Sequence, residues 1–288
     1  MQVRNLIVGA LLFSCTGHVN AQSLTLRVDN IDQIVDSMTL EEKVNLLVGR
    51  NDYLFGGYEK LDKAPRVMDS SISGFTQVIP RLGIPATGLA DGPAGAVVVT
   101  RPDSKKNYYA TGFPIGSLLA CSWNTGLVET IGQAIGNEIL EYGVDVVLAP
   151  GMNIHRSPLC GRNYEYFSED PVLTGKIAAA YIRGVQSNGV GACPKHFAVN
   201  SQETNRTEVN EIVSQRALRE IYLKGFEIAV KEGNPVSIMT SYNLINGIHT
   251  ANSKDLCMTV ARKEWGFDGA IMSDWNTTVP ENGSVPWK

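Results

Sequence analysis

Several short stretches of the sequence bring together residue types that could do chemistry. Asp274 follows the apolar run 269–273 and stands beside Trp275. Lys195 and His196 are adjacent basic residues in "CPKHFAVNSQETNR", with Arg206 eleven positions beyond Lys195. A carboxylate held at a strand end and partly desolvated can attack a sugar's anomeric carbon if a second carboxyl protonates the leaving oxygen. The plainer reading of Asp274 is a helix N-cap, since Asp commonly caps the helix after a strand. The donors Lys195, His196 and Arg206 suit a polyhydroxylated ligand or a carboxylate. Their plainer reading is a set of ion pairs, Lys195 and Arg206 with Glu203 and Glu208.

These residues need elements to hold them. Short apolar runs with strand character occupy 84–90, 144–149, 190–193, 236–241 and 269–273, with 113–120 as a sixth candidate. Helical patterns lie between them, at 125–142, 171–188, 214–232 and 253–265. An opening helix reads from "DSMTLEEKVNLLVG", where Thr39 and Glu42 have capping-box spacing and Gly49 stops the pattern. Strands alternating with helices imply βα units and a parallel sheet. Polar residues fall just past strand after strand: Asp91, the stretch 153–162, Lys195 and His196, Tyr242 and Asn243, and Asp274. In a (β/α)8 barrel those carboxyl ends converge on one mouth, whereas a doubly wound sheet gathers its ligand at one switch point behind a glycine-rich turn. No G-x-G-x-x-G follows a strand, so the fold class is α/β, a (β/α)8 TIM-like barrel.

The chain has 288 residues, 43% apolar and 19% charged, with a net charge of −4. That length suits one large domain, and with no Lys/Arg cluster the charge argues against a nucleic-acid partner. The amino terminus carries Arg4, an apolar run from Leu6 to Cys15 and a small-x-small pattern ending at Ala21. This order predicts a signal peptide over 1–21 and an exported, periplasmic or extracellular chain; ten apolar residues are too few to span a membrane. Lipoprotein anchoring at Cys15 fits less well, because Phe13 sits poorly in such a site. The remaining cysteines, 121, 160, 193 and 257, show no close pairing, so free buried thiols, no disulfide framework and no metal are expected. No cofactor is implied.

The motifs together resemble the amino-terminal barrel domain of glycoside hydrolase family three, the β-glucosidases and their relatives, from about Met38 to Asp274. "MTLEEKV" resembles the family's opening helix, and "GLADGPAG" its first strand end, which makes Asp91 a binder of sugar hydroxyls. "APGMNIHRSPLCGRNYEYFSEDP" resembles the long third-strand loop and makes Arg162 a substrate-binding residue. By the same resemblance Lys195, His196 and Arg206 contact sugar hydroxyls, Tyr242 abuts the nucleophile, "IMSDW" makes Asp274 that nucleophile, and Trp275 lines the site. The implied reaction is retaining hydrolysis of β-glycosidic bonds through a glycosyl ester on Asp274, with a β-glucoside or oligosaccharide as partner. Arg162 and Lys195 beside Asp274 would keep it ionised.

The chain also departs from the family's pattern. Val97 stands where many relatives carry an Arg, which removes one sugar contact unless Arg101 substitutes. The family's general acid is a Glu in a carboxyl-terminal α/β sandwich domain. The expectation is therefore a domain over 22–288, truncated after the nucleophile, lacking that second domain, its barrel incomplete at the carboxyl end. Glu203, Glu208 and Glu211 match no donor position, which makes a catalytically impaired, sugar-binding remnant the competing reading. The single-domain hexosaminidase branch is set aside because "KHFAVNSQ" lacks its Gly-His and Asp-x-His. A β-xylosidase relative is disfavoured by Asp91, where those relatives usually carry Glu.

Overall fold

The structure, a computed structural model, describes residues 24–49, 70–71, 73–100 and 107–277. The leader segment 1–21 with Cys15, Arg101, and the tail from 278 onward lie outside the described residues.

Five parallel strands follow one another in chain order: Gly88–Asp91, Val146–Leu148, Gly191–Ala192, Ser237–Met239 and Ala270–Met272. Pairing puts Leu89 opposite Val146, Val147 opposite Ala192, and Ile271 opposite Ile238. Parallel bridges Gly151–Lys195 and Phe197–Thr240 carry the pairing across the middle of the row. A short antiparallel strand, Gly74–Phe75, borders Gly88–Asp91 on the other side. The row is a sector of a TIM-like barrel, as the spacing of apolar runs predicts.

Alternation along the strands decides which residue faces which layer. Leu89, Val146, Leu148, Cys193 and Met239 form an inner cluster, joined by Met272 and Trp275 under the mouth. Ala90, Val147, Ala192 and Ile238 point the other way and pack under the helices. Successive side chains of a strand face opposite sides, so both faces must be apolar when helices cover one and the barrel fills the other. That is why these strands read as unbroken apolar runs.

The helices have local causes. Asn124 caps Thr125–Glu141 by accepting from the Leu127 N–H at 3.0 Å. Asp170 caps Pro171–Gln186 through the N–H groups of Val172 and Leu173, with Pro171 at the first position, where its missing donor costs nothing. These two helices touch backbone to backbone: a Cβ on Gly184 would lie 2.2 Å from the Glu129 carbonyl, and one on Gly132 2.6 Å from that of Tyr181. The third connection, 215–233, alternates α and π turns, and Asp255–Glu264 is π-wound throughout. Periodicity foresees a helix in both places but not the wider winding.

The expected sixth strand at 113–120 is instead extended only to Ile115 and then helical over Gly116–Cys121. Two observations account for it. A Cβ at Gly116 would meet the Glu165 carbonyl at 2.3 Å, so only glycine lets this segment press onto the 157–168 loop. Leu119 and Ala120 are then buried while Leu118 is exposed, a helical rather than a pleated pattern. At the amino end the Thr39–Glu42 capping box forms as expected, with bonds of 3.2 and 2.8 Å. A further helix, Ile31–Ser37, precedes it and is too short to stand out in the sequence. All four described cysteines are free, but only Cys160 and Cys193 are buried; Cys121 is exposed and Cys257 half-buried, which corrects the expectation of uniformly buried thiols. No described helix is long and apolar enough to cross a membrane.

Candidate active site

Asp274 lies two residues past the strand Ala270–Met272, and it is buried. Its Oδ1 accepts the Trp275 N–H at 2.7 Å, and the Thr277 hydroxyl donates to its carbonyl at 2.6 Å. The described residues that follow form a turn, and the carboxylate bonds the adjacent N–H through one oxygen only, which is not the helix N-cap of the plainer reading. The other, Oδ2, faces the His196 ring, 3.7 Å from Nε2.

The residues around it come from the other strand ends. Lys195 and His196 continue the strand Gly191–Ala192 and are almost fully buried. The His196 backbone is gripped by one side chain: the Asn153 amide donates to its carbonyl and accepts its N–H, both at 2.8 Å. The peptides Lys195–His196 and Phe197–Ala198 are cis. Lys195 Nζ bonds Asp91, whose side chain is half exposed at the end of the first strand. Arg162 reaches in from its loop, donating through Nε to Glu165 at 2.5 Å and through Nη2 to His196 Nε2 at 2.9 Å. Arg206 bonds Glu203 at 3.0 Å and lies 4.7 Å over the Tyr242 ring, a cation–π contact. Tyr242 donates to the Trp275 carbonyl at 2.7 Å and is also within hydrogen-bond reach of the Asp274 carboxyl. Trp275 Nε1 donates to the Ser73 carbonyl at 3.2 Å, and the Ser73 hydroxyl accepts the Asp91 N–H at 2.8 Å. Ser73 therefore ties the first strand end to the last.

Every residue singled out in the sequence, Asp91, Arg162, Lys195, His196, Arg206, Tyr242, Asp274 and Trp275, belongs to this one network. The ion-pair reading holds for Arg206 with Glu203; Lys195 pairs with Asp91 instead of a glutamate. Val97 is exposed near the same strand end, its N–H bonded to the Asp91 carbonyl at 2.8 Å.

Burial dominates the electrostatics. The Asp274 carboxyl is raised above its ordinary range by burial, against the pull of the Trp275 N–H, Lys195, Arg162 and Tyr242. Arg162 and Lys195 therefore act in the expected direction, but they are outweighed. Burial holds His196 far below the ordinary imidazole range, and Arg162, Lys195 and Arg206 push it the same way, so the ring is neutral. Its contact with Asp274 is therefore no salt bridge. Tyr242 is raised by burial and by the adjacent Asp274 charge. Cys193, in the layer beneath, is pushed up to about 12 by burial and stays a thiol.

Such an arrangement presents one carboxylate oxygen that the Trp275 N–H does not hold, several fixed donors, half-exposed Asp91 as an acceptor, and the Tyr242 and Trp275 rings. It suits a ring of hydroxyls with an electrophilic carbon at Asp274 Oδ2. Sequence reasoning missed Glu165, Tyr166, Asn200 and Ser73. The first three sit inside quoted motifs, yet for Tyr166 and Asn200 the partners in space come from distant loops and gave them no role that could be read locally.

Residues 66–281 match the family described as "Glycosyl hydrolase family 3 N terminal domain". The chain is 46% identical over 248 residues to a beta-glucosidase B of Emericella nidulans, covering 86% of this chain and 26% of that protein. It is 43% identical over 251 residues to a thermostable beta-glucosidase B of Acetivibrio thermocellus, covering 85% of this chain and 30% of that one. Among solved structures it is similar to beta-glucosidase 3B from Thermotoga neapolitana in complex with glucose, at 53% identity and a TM-score of 0.79. That likeness covers 85% of this chain and 33% of the other. The chain thus spans about a quarter to a third of the length of these relatives.

Proposed function

The chain belongs to glycosyl hydrolase family 3 through its amino-terminal domain, and on that premise we propose that its site binds a β-glucoside and cleaves it with retention, Asp274 acting as nucleophile. The observation that carries the reading is the buried Asp274, whose Oδ1 is spent on the Trp275 N–H while Oδ2 faces the His196 ring. In the first step Oδ2 bonds to the anomeric carbon as the bond to the glycosidic oxygen breaks, and that oxygen takes a proton. Water then cleaves the glycosyl ester and restores the carboxylate. Asp91, Arg162, Lys195 and Arg206 hold the sugar hydroxyls in this reading, His196 backs Arg162 with both ring nitrogens already bonded, and Tyr242 and Trp275 stand beside the reacting carbon. Glucose in the Thermotoga neapolitana complex supports a sugar ligand of this kind.

The proton for the leaving oxygen comes, in this proposal, from outside the described residues. Among those residues the acids lining the site are engaged: Asp91 by Lys195, Glu165 by Arg162, and Glu203 by Arg206 and Asn200. Loss of general acid help costs about 10² to 10⁴ in rate, but an aryl leaving group needs little of it. The protein should therefore hydrolyse dinitrophenyl β-glucoside, releasing the β-anomer first, whether or not a proton donor is in place. Release of the α-anomer first, or a folded chain inert toward the aryl glucoside, would overturn the reading.

The leader pattern over residues 1–21 supports a second proposal, that the chain is exported. Amino-terminal sequencing of the secreted protein should then begin at Gln22; material that still begins at Met1 would refute export.

A further inference from the structure

The hydrogen bonds behind His196 fix where its proton sits. Arg162 Nη2 lies 2.9 Å from His196 Nε2, and a guanidinium can only donate. Nε2 must therefore be the acceptor, and the one proton of the neutral ring must be on Nδ1. An imidazolium is excluded by the same contact, which would set N–H against N–H. Nδ1 in turn lies 3.1 Å from the Tyr166 hydroxyl, which must accept it. The far end of the chain is fixed by the same logic. Asn200 Nδ2 donates to Tyr166 at 2.8 Å and to Glu203 at 2.9 Å, and Glu203 as a carboxylate forces the amide group, not its oxygen, to that side. Tyr166, His196 and Asn200 are all at least nine-tenths buried, so water does not compete.

We propose that Arg162 fixes the His196 imidazole as its Nδ1–H tautomer and that Tyr166, itself held by Asn200, is the positioning residue that receives that proton, so that a proton-free Nε2 faces Arg162 and Asp274. The role given to that face rests on the reading of Asp274 as nucleophile. An Nε2–H would set a positive proton toward Oδ2, 3.7 Å away, and would lower its strength as a nucleophile. It would also displace Arg162 from its place beside the carboxylate. With the proton held on the far nitrogen, the ring fixes the guanidinium through its lone pair and gives Asp274 nothing. Neither Tyr166 nor Asn200 touches the sugar in this account; both act through His196.

Long-range proton–nitrogen correlation of the chain labelled with ¹⁵N-histidine reads the tautomer directly, without substrate or turnover. The His196 signal is identified by its loss in His196→Gln. At neutral pH the wild type should show Nδ1 as the protonated nitrogen and Nε2 as the bare one. Arg162→Leu, which removes the donor to Nε2, should shift the ring to a mixture containing Nε2–H; Arg162→Leu combined with Tyr166→Phe, which also removes the acceptor at Nδ1, should shift it further in the same direction. An Nε2–H tautomer or an imidazolium in the wild type would overturn the proposal, and so would an unmixed Nδ1–H ring in both folded variants. Failure of Asp274 to act as nucleophile would appear in labelling chemistry and leave the tautomer unchanged, so the two ideas fail separately.

Discussion

Asp274 and His196 face each other across 3.7 Å, and burial moves their protonation in opposite directions. Asp274 is raised from an ordinary 3.8, so above that pH the folded chain binds more protons than the unfolded one. Stability is therefore lost as pH rises from 3.8 through the folded value, and the full cost is present at neutral pH. His196 is lowered from 6.5, so its contribution is full above 6.5 and is lost as pH falls below it. Asp274→Asn keeps an acceptor for the Trp275 N–H and removes the ionisation. It should raise the Tm at neutral pH, and the gain should shrink toward the ordinary carboxyl value; thermal unfolding across that range reads it. A gain independent of pH, or a loss at neutral pH, would show that burial of the charge is not costly here. At this scale the sequence was legible where a residue type announced itself at a strand end, as with Asp274, Lys195 and Arg162. Tyr166 and Asn200 were not legible, because their partners come from other loops: the two, bonded to each other, are 34 residues apart. Glu165 was missed although its partner Arg162 is three residues away.

Among the elements, the helices Thr125–Glu141 and Pro171–Gln186 are bound most closely, and glycine makes that approach possible. Gly184→Ala would set a methyl group 2.2 Å from the Glu129 carbonyl, with Gly132 Cα at 2.9 Å, and neither helix can move without disturbing the strands it covers. The expected cost is about 1–3 kcal/mol, or roughly 2–4 °C of Tm for each kcal/mol in a domain of this size. Gly126→Ala is the control: its Cβ would meet only Asn124 Oδ1 at 3.5 Å, and alanine in place of glycine in a helix stabilises by about 0.5–1 kcal/mol. Calorimetry of the two variants should give shifts of opposite sign. Equal and small shifts would mean that the helices are not in backbone contact. The five strands were legible because each is apolar on both faces and bounded by helical periodicity. The segment 113–120 misled for the same reason, being an equally apolar run. Its glycine, which decides the matter through the Glu165 carbonyl, has no signature in local sequence.

On the scale of the whole molecule, the barrel sector brings residues as far apart in sequence as Asp91 and Trp275 to one mouth, and Ser73 joins its two ends through 2.8 and 3.2 Å hydrogen bonds. Topology does this work: strands in chain order, all parallel, with each polar loop leaving from the same side. That convergence could be inferred from the recurrence of polar residues after apolar runs, and the family resemblance assigned the roles. The π winding of Asp255–Glu264 and the Ser73 link depend on three-dimensional packing and could not be inferred. The central claim is that this convergence makes Asp274 the nucleophile, and covalent trapping tests it most directly. Dinitrophenyl 2-deoxy-2-fluoro-β-glucoside has a leaving group that needs no acid, and its fluorine slows hydrolysis of the glycosyl ester. Incubated with the purified chain and followed by intact-mass and peptide mass spectrometry, it should add one fluoroglucosyl group to the peptide holding Asp274, and none to Asp274→Asn. A label on any other residue, or undiminished labelling of Asp274→Asn, would contradict the account.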